Sequence, residues 1–165
     1  MNAAQRKAFE ESAHEADQVV DDIFRVYDMS MLRREPIDGH DTIAFALTPK
    51  AKAQPRTREG SIMRHFVARV WISESDHELV RVEADAIETV PFGLGLVARI
   101  HKGSTVRFER RKVNGEAWLP AVSSYRGSAR VGLVTVVRRG SVSEYSGYRK
   151  FEVGTSETFR PPSHP

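Results

Sequence analysis

Cysteine is absent from the 165 residues of this chain. That excludes a disulfide scaffold, a cysteine nucleophile, an iron–sulfur site and any thiolate zinc site. Long hydrophobic runs are absent too, since none approaches the ~20 residues that a membrane-spanning helix needs. Residues 1–11 hold no apolar segment of the kind an export signal carries. There are no internal repeats or low-complexity tracts, which excludes solenoid and collagen-like architectures. The length demands no staple, because a domain of this size buries roughly 70% of the surface its unfolded chain exposes.

Catalytic patterns are equally scarce. His14-Glu15-Ala16-Asp17-Gln18 begins like the zinc-protease helix, but Gln18 stands where the second histidine ligand is required. The other histidines show no ligand spacing. Gly93-Leu94-Gly95-Leu96-Val97-Ala98 matches the dinucleotide-binding fingerprint in letters. It follows an antiparallel pattern, however, and leaves no room for the helix of a βαβ unit. No G-x-S-x-G elbow exists, and in Tyr145-Ser146-Gly147-Tyr148-Arg149 an arginine that cannot titrate stands where a dehydrogenase needs lysine. The carboxylate pairs Asp76/Glu78 and Glu83/Asp85 fall at a turn and on the polar side of a strand, where water screens general acid/base work. The expectation is a protein that is not an enzyme and uses no metal and no cofactor.

What the sequence does have is charge, unevenly placed. Lys and Arg number 25 against 22 Asp and Glu, a net +3. Residues 1–22 hold two basic and six acidic groups, residues 23–98 hold ten and eleven, and residues 99–165 hold thirteen and five. Basicity therefore belongs to the last third of the chain, where an anionic partner would bind. Arg107, Arg110, Arg111 and Lys112 share one run, but strand alternation sends them to both faces, as it does Arg138 and Arg139. Aromatics that could stack bases between them are few, which disfavours nucleic acid. The acidic N-terminal segment is instead expected to dock on the basic strands.

Periodicity divides the chain. Phe9, Ala13, Ala16, Val20 and Ile23 recur at spacings of four and three, one narrow apolar stripe that predicts an amphipathic helix over 1–22. From Ile23 the period changes to two. Asp38-Gly39 marks a turn, and Ile43, Phe45 and Leu47 alternate up to Pro49. Residues 50–61 have no period, carry Pro55 and four basic groups, and read as a loop. Segments 64–73 and 79–90 alternate in a complementary way and read as a hairpin. Residues 91–101 are apolar almost throughout and read as a short helix or lid. Strands resume at 104–113 and 116–129 around Asn114-Gly115, a strong hairpin signal, followed by further strands at 131–139 and 141–153. The tail, 154–165, bears Pro161, Pro162 and Pro165 and is expected to be disordered.

Several phrases together resemble the bacterial outer-membrane lipoprotein-sorting family, the LolA/LolB-like domains. They are Val70-Trp71-Ile72 with its acidic turn, Leu79-Val80-Arg81-Val82-Glu83-Ala84, Phe92-Gly93-Leu94-Gly95-Leu96 and Lys102-Gly103-Ser104. Val113-Asn114-Gly115-Glu116-Ala117-Trp118-Leu119-Pro120 and Tyr145-Ser146-Gly147-Tyr148-Arg149-Lys150-Phe151 complete the set. The similarity spans residues 24–153 and suggests an uncharacterised branch that lacks the family's N-terminal strands.

The resemblance implies an α+β, mostly β, single domain: a curved antiparallel meander sheet forming an incomplete barrel over 23–153. The N-terminal helix and the lid at 91–101 would cover its concave side. It also implies a hydrophobic cavity for a lipid or lipoprotein acyl chain, and a place in the periplasm or cell envelope. On that basis the ligand-facing residues are Trp71, Phe92, Leu94, Leu96, Val97, Ile100, Phe108 and Trp118. Two other readings stay open. One is a fragment of a larger envelope protein whose sheet edge pairs with another protein or another copy. The other is binding of an anionic partner, a nucleic acid or lipid head groups at a membrane surface, through the basic C-terminal strands.

Overall fold

The computed structural model of the chain describes residues 3–92, 98–131 and 135–150. Helix α1, Ala3–Val26, is about 36 Å long at 1.5 Å per residue. It outruns the expected 1–22 because Asp22, Ile23 and Val26 keep one helical side turned inward. Asp22 and Val26 are fully buried and Ile23 packs on Val26, Tyr27 and Leu47, while Val20 and Phe24 are more than half exposed. The alternation of Phe24 and Val26, which suggests a strand, is a helix with one side chain out and the next inward one two residues on.

Nine strands follow among the described residues. They are β1 Tyr27–Ile37, β2 His40–Pro49, β3 Phe66–Ser73, β4 Leu79–Ala86, β5 Val90–Phe92, β6 Ala98–Ile100, β7 Thr105–Val113, β8 Ala117–Val131 and β9 Thr135–Glu144. All pair antiparallel in one open sheet. Its main path is β1-β2-β3-β4-β7-β8-β9, and the short β5–β6 hairpin joins the far half of β8 through β6. The expected meander is therefore observed, in a chain that is mostly β. Both expected tight turns carry left-handed backbone: Asp38 and Gly39 at φ 47° and 79°, Asn114 and Gly115 at 53° and 70°. Two successive positive φ values give the twist that matches right-handed strands, and Asp-Gly and Asn-Gly tolerate them best.

Three expectations are corrected. Residues 58–63 are not loop but a short helix, α2, Arg58–Met63, whose N-cap Thr57 accepts a hydrogen bond from the Gly60 N–H at 2.9 Å. Residues 91–101 are not a helical lid where they are described. Val90 pairs with Ile100, Pro91 with Arg99 and Phe92 with Ala98, and β5 is an outer strand, where Pro91 does no harm to a ladder. Leu94, Leu96 and Val97 lie outside the described residues, as does the tail 154–165. Finally, residues 135–144 form one strand, so the sequence break at Gly140 is no break in the ladder.

Alternation sorts the core onto two faces. The register places Phe45 beside Val70 and Leu47 beside Ala68, and Ala44 beside Trp71 on the opposite side. On the first side, which we call the helix face, Val26, Tyr27 and Leu47 pack with Ile23, Phe45, Met63, Ala68 and Val70. Further along that face Phe66, Ala86 and Val90 pack with Ile62, Ala84 and Ile100. On the other side, the Trp71 face, Ala44 and Trp71 pack with Ile37, Val80 and Trp118. Ile37 belongs to β1 and Trp118 to β8, so the sheet curls until its hairpin tips meet. His40 lies edge-on to Trp118 with centroids 5.0 Å apart, and Arg111 reaches Asp38 at 3.5 Å.

Helix α1 ends on α2 and β1, and β1 is the edge strand farthest from the basic strands. Its docking on β7–β9, expected from charge, is corrected: apolar Ile23 and Val26 and the buried carboxylate of Asp22 decide where it packs.

Candidate functional site

The helix and Trp71 faces divide the residues expected to line one cavity. Trp71 and Trp118 come together, both almost fully buried. Phe108 pairs with Val82, which pairs with Val70, so it lies on the helix face. Ile100 packs on the same face with Phe66, Ala86 and Val90. Phe92 pairs with Ala98 in β5, and Leu94, Leu96 and Val97 fall outside the described residues. Trp71 and Phe108 therefore point to opposite sides of the sheet, and α1 and α2 do not enclose a space with Trp71. Adjacency of Val70 and Trp71 in one strand forces this result.

On the helix face an apolar strip continues past the helices. Val70, Val82 and Phe108 form one cross-strand row, and Ala68, Ala84, Val106 and Tyr125 the next. The end of α1 and α2 cover the part on β2–β4. Val82 and Phe108 are half-buried, and Val106 is 36% exposed. This strip is an apolar surface that a ligand could use.

The Trp71 face is polar away from its tryptophan cluster. A chain of alternating charges crosses it. Arg69 meets Glu83 at 3.1 Å, Arg107 meets Glu83 at 3.9 Å and Glu109 at 2.8 Å, and Arg81 meets Glu109 at 3.2 Å. Arg81 also stands over the Trp71 ring, 5.4 Å from its centroid, and the Trp71 indole N–H donates to Glu35, which pairs with Arg33 at 3.0 Å. Burial raises the Glu109 carboxyl, but Arg107 and Arg81 outweigh it and hold the group below 4.5. Glu35 is lowered by its bonds from Trp71 and Arg33. Every member of this chain has a partner, so it reads as a polar girder between strands.

At the hairpin tips Asp76 accepts from the Lys112 ammonium and from the Trp118 indole N–H, each at 2.8 Å, and these bonds hold its carboxyl at about 2. Arg110 bridges Glu78 at 2.8 Å and the Trp118 carbonyl at 2.6 Å. Asp76 and Glu78, which look like an acid/base pair in sequence, thus fasten β3–β4 to β7–β8. Among the described residues no group of three or more His, Asp or Glu is placed to hold a metal ion, and no helix is long and apolar enough to cross a membrane.

At the opposite end of the Trp71 face lie two open cavities. One, about 350 Å³, is bordered by Arg69, Glu83, Asp85, Arg107, Ser124 and Arg126. The second, about 480 Å³, is bordered by Lys102, Gly103, Ser104, Arg126, Gly127, Ser128 and Gly140. Sequence reasoning passed over Lys102 and Arg126, because their approach depends on the register of β7 with β8. Family models, curated proteins and solved structures were all compared with this chain, and none matches.

Proposed function

We propose that the chain is a non-enzymatic binding domain that takes a hydrophobic ligand, a lipid or lipoprotein acyl chain, on the helix face of its sheet. Its setting would be lipid or lipoprotein trafficking in the cell envelope, as the resemblance implies. The observation that supports this reading is the apolar strip through Val82, Val106 and Phe108 beyond the cover of α1 and α2. An acyl chain gains about 0.8 kcal/mol per buried methylene, so it needs apolar area and little polar chemistry. Ile100 packs on the same face of the sheet as the strip. Trp71 and Trp118 are core in this reading and make no ligand contact.

Delipidated protein titrated with a fluorescent fatty acid tests the proposal. Saturable binding, weakened by Phe108→Arg or Leu96→Arg in folded variants, is expected; absence of saturable binding to the parent protein overturns it. One observation favours a second reading, interaction through a sheet edge. Strand β1 is an edge, with Asp28 to Arg34 all exposed and Met29, Met31 and Leu32 among them. Sedimentation separates the two, since a monomer at high concentration argues against self-pairing through β1.

A further inference from the structure

The basic residues after residue 98 sort by position. Arg107, Arg110, Arg111, Lys112 and Lys150 each meet a carboxylate, and all but Arg107 are near the hairpin tips. Arg99, Lys102 and Arg126 have no carboxylate partner among the described residues, and all three are at the other end of the sheet. The register brings more cations there: Arg99 pairs with Arg130, Ser128 with Arg138 and Gly127 with Arg139. By backbone register, six of the thirteen basic positions after residue 98 thus fall at this end of the sheet, around β6, β8 and β9. The sequence supplies no acid from these stretches themselves, because residues 89–108 and 117–143 contain no Asp or Glu.

The 480 Å³ cavity sits within this cluster. Its border is two cations, two serines and three glycines, with no carboxylate. Gly103, Gly127 and Gly140 leave the main chain bare, which lets a tetrahedral oxyanion approach closely. Ser128 brings a hydroxyl to the border. Ser104, 1% exposed, also borders it, with its Oγ lacking any hydrogen-bond partner. Gly127 faces the helix side, where a Cβ would crowd Ser104 Oγ and the Tyr125 hydroxyl. The neighbouring cavity shares Arg126 and adds Asp85, so the anion belongs in the acid-free one.

We propose that the cavity bordered by Lys102, Arg126 and Ser128 binds a phosphate group, with the two cations as its charge partners. The shared chemistry is a phosphate oxyanion, whether from a soluble phosphoanion or a phospholipid head group. The site goes beyond the hydrophobic-ligand reading and does not depend on it, because Arg126 and Ser128 alternate with helix-face positions.

Pyrophosphate is titrated into the full chain and amide NMR shifts are followed. Saturable shifts confined to residues 101–104 and 126–128, with affinity lowered at least tenfold by Arg126→Glu and unchanged by the charge-matched Lys52→Glu, are expected. Arg126→Gln, a milder change, provides the same reading if the glutamate variant fails to fold. Absence of saturable shifts at millimolar pyrophosphate, or equal loss with Lys52→Glu, overturns the proposal. Phosphatidylglycerol vesicles in place of pyrophosphate identify the source. Binding that pyrophosphate displaces marks a head-group site, and pyrophosphate binding without vesicle binding marks a soluble phosphoanion. Preferential retention of an oligonucleotide, equally weakened by Arg126→Glu and Lys52→Glu, shows a diffuse polyanion surface and overturns it.

Discussion

Replacing Asp22 with alanine should loosen the junction between α1 and α2 more than any surface substitution could. The carboxylate is fully buried and accepts from the Arg56 N–H at 2.9 Å, the Thr57 N–H at 2.7 Å and the Thr57 hydroxyl at 2.7 Å. Burial alone would raise its pKa. Thr57 and the two backbone donors, with Arg25 nearby, hold it below 3.8 instead. Alanine leaves the partly buried Arg56 and Thr57 N–H donors without their acceptor, at roughly 1–2 kcal/mol each, so the loss is about 3 kcal/mol. For a chain of this length that lowers the midpoint of thermal unfolding by about 10 °C, read by far-ultraviolet circular dichroism.

Gly60 supplies a second handle on the same junction. A Cβ there would sit 2.2 Å from Asp22 Oδ2 and 2.8 Å from Pro55 Cβ. Gly60→Ala should therefore cost more in the parent than in the Asp22→Ala background, where one of the two clashes is gone. The effect also depends on pH in a defined sense. With the folded-state pKa below the unfolded 3.8, the stabilisation is present above that value and disappears as pH falls through the folded one. A midpoint change under about 2 °C at neutral pH, or strict additivity of the two substitutions, would refute this account of the junction.

Two further outcomes follow from the Trp71 face. Trp118→Ala removes a buried ring from the tip cluster and should cost about 3–5 kcal/mol in urea unfolding; a loss below 1 kcal/mol would mean the tips do not meet as described. Glu109→Gln leaves Arg81 and Arg107 without their shared carboxylate and should cost about 2 kcal/mol at neutral pH. That penalty should shrink in acid, because the lowered Glu109 pKa makes the parent lose the same stabilisation as pH falls below 4.5. Trp71 emission, with Arg81 above its ring, should shift in the same variant.

How much was legible in advance depended on whether the signal was local. The turns at Asp38-Gly39 and Asn114-Gly115 and the hairpin of β3 with β4 needed only neighbouring residues, and they stand where expected. Helix α2 was hidden because the feature that organises its entry, Asp22, comes from a helix more than thirty residues earlier. The apolar run at 91–101 carried too little alternation to separate helix from a short hairpin, and pairing of Val90 with Ile100 decided it. Trp71 and Trp118 do meet, but as buried core. Phe108 was misplaced beside them because hydrophobicity does not report which side of a strand a residue takes. That needs the register from Val70 through Val82, a property of three strands at once. The cationic end was written in the acid-free runs of the sequence, but only the pairing of β6, β8 and β9 brings those runs together.

The meeting of the hairpin tips has a consequence for the order of assembly. Every strand of the main path pairs with the next strand of that path along the chain, so most of the sheet can zip from local nuclei with little loop-closure cost. The contacts of His40 with Trp118 and of Asp38 with Arg111 join residues far apart in sequence. They can form only after β2, β3, β4 and β7 have laid down the curvature between them. Closure at the tips is therefore the late step of folding, and the two tryptophans are the last part of the core to leave water.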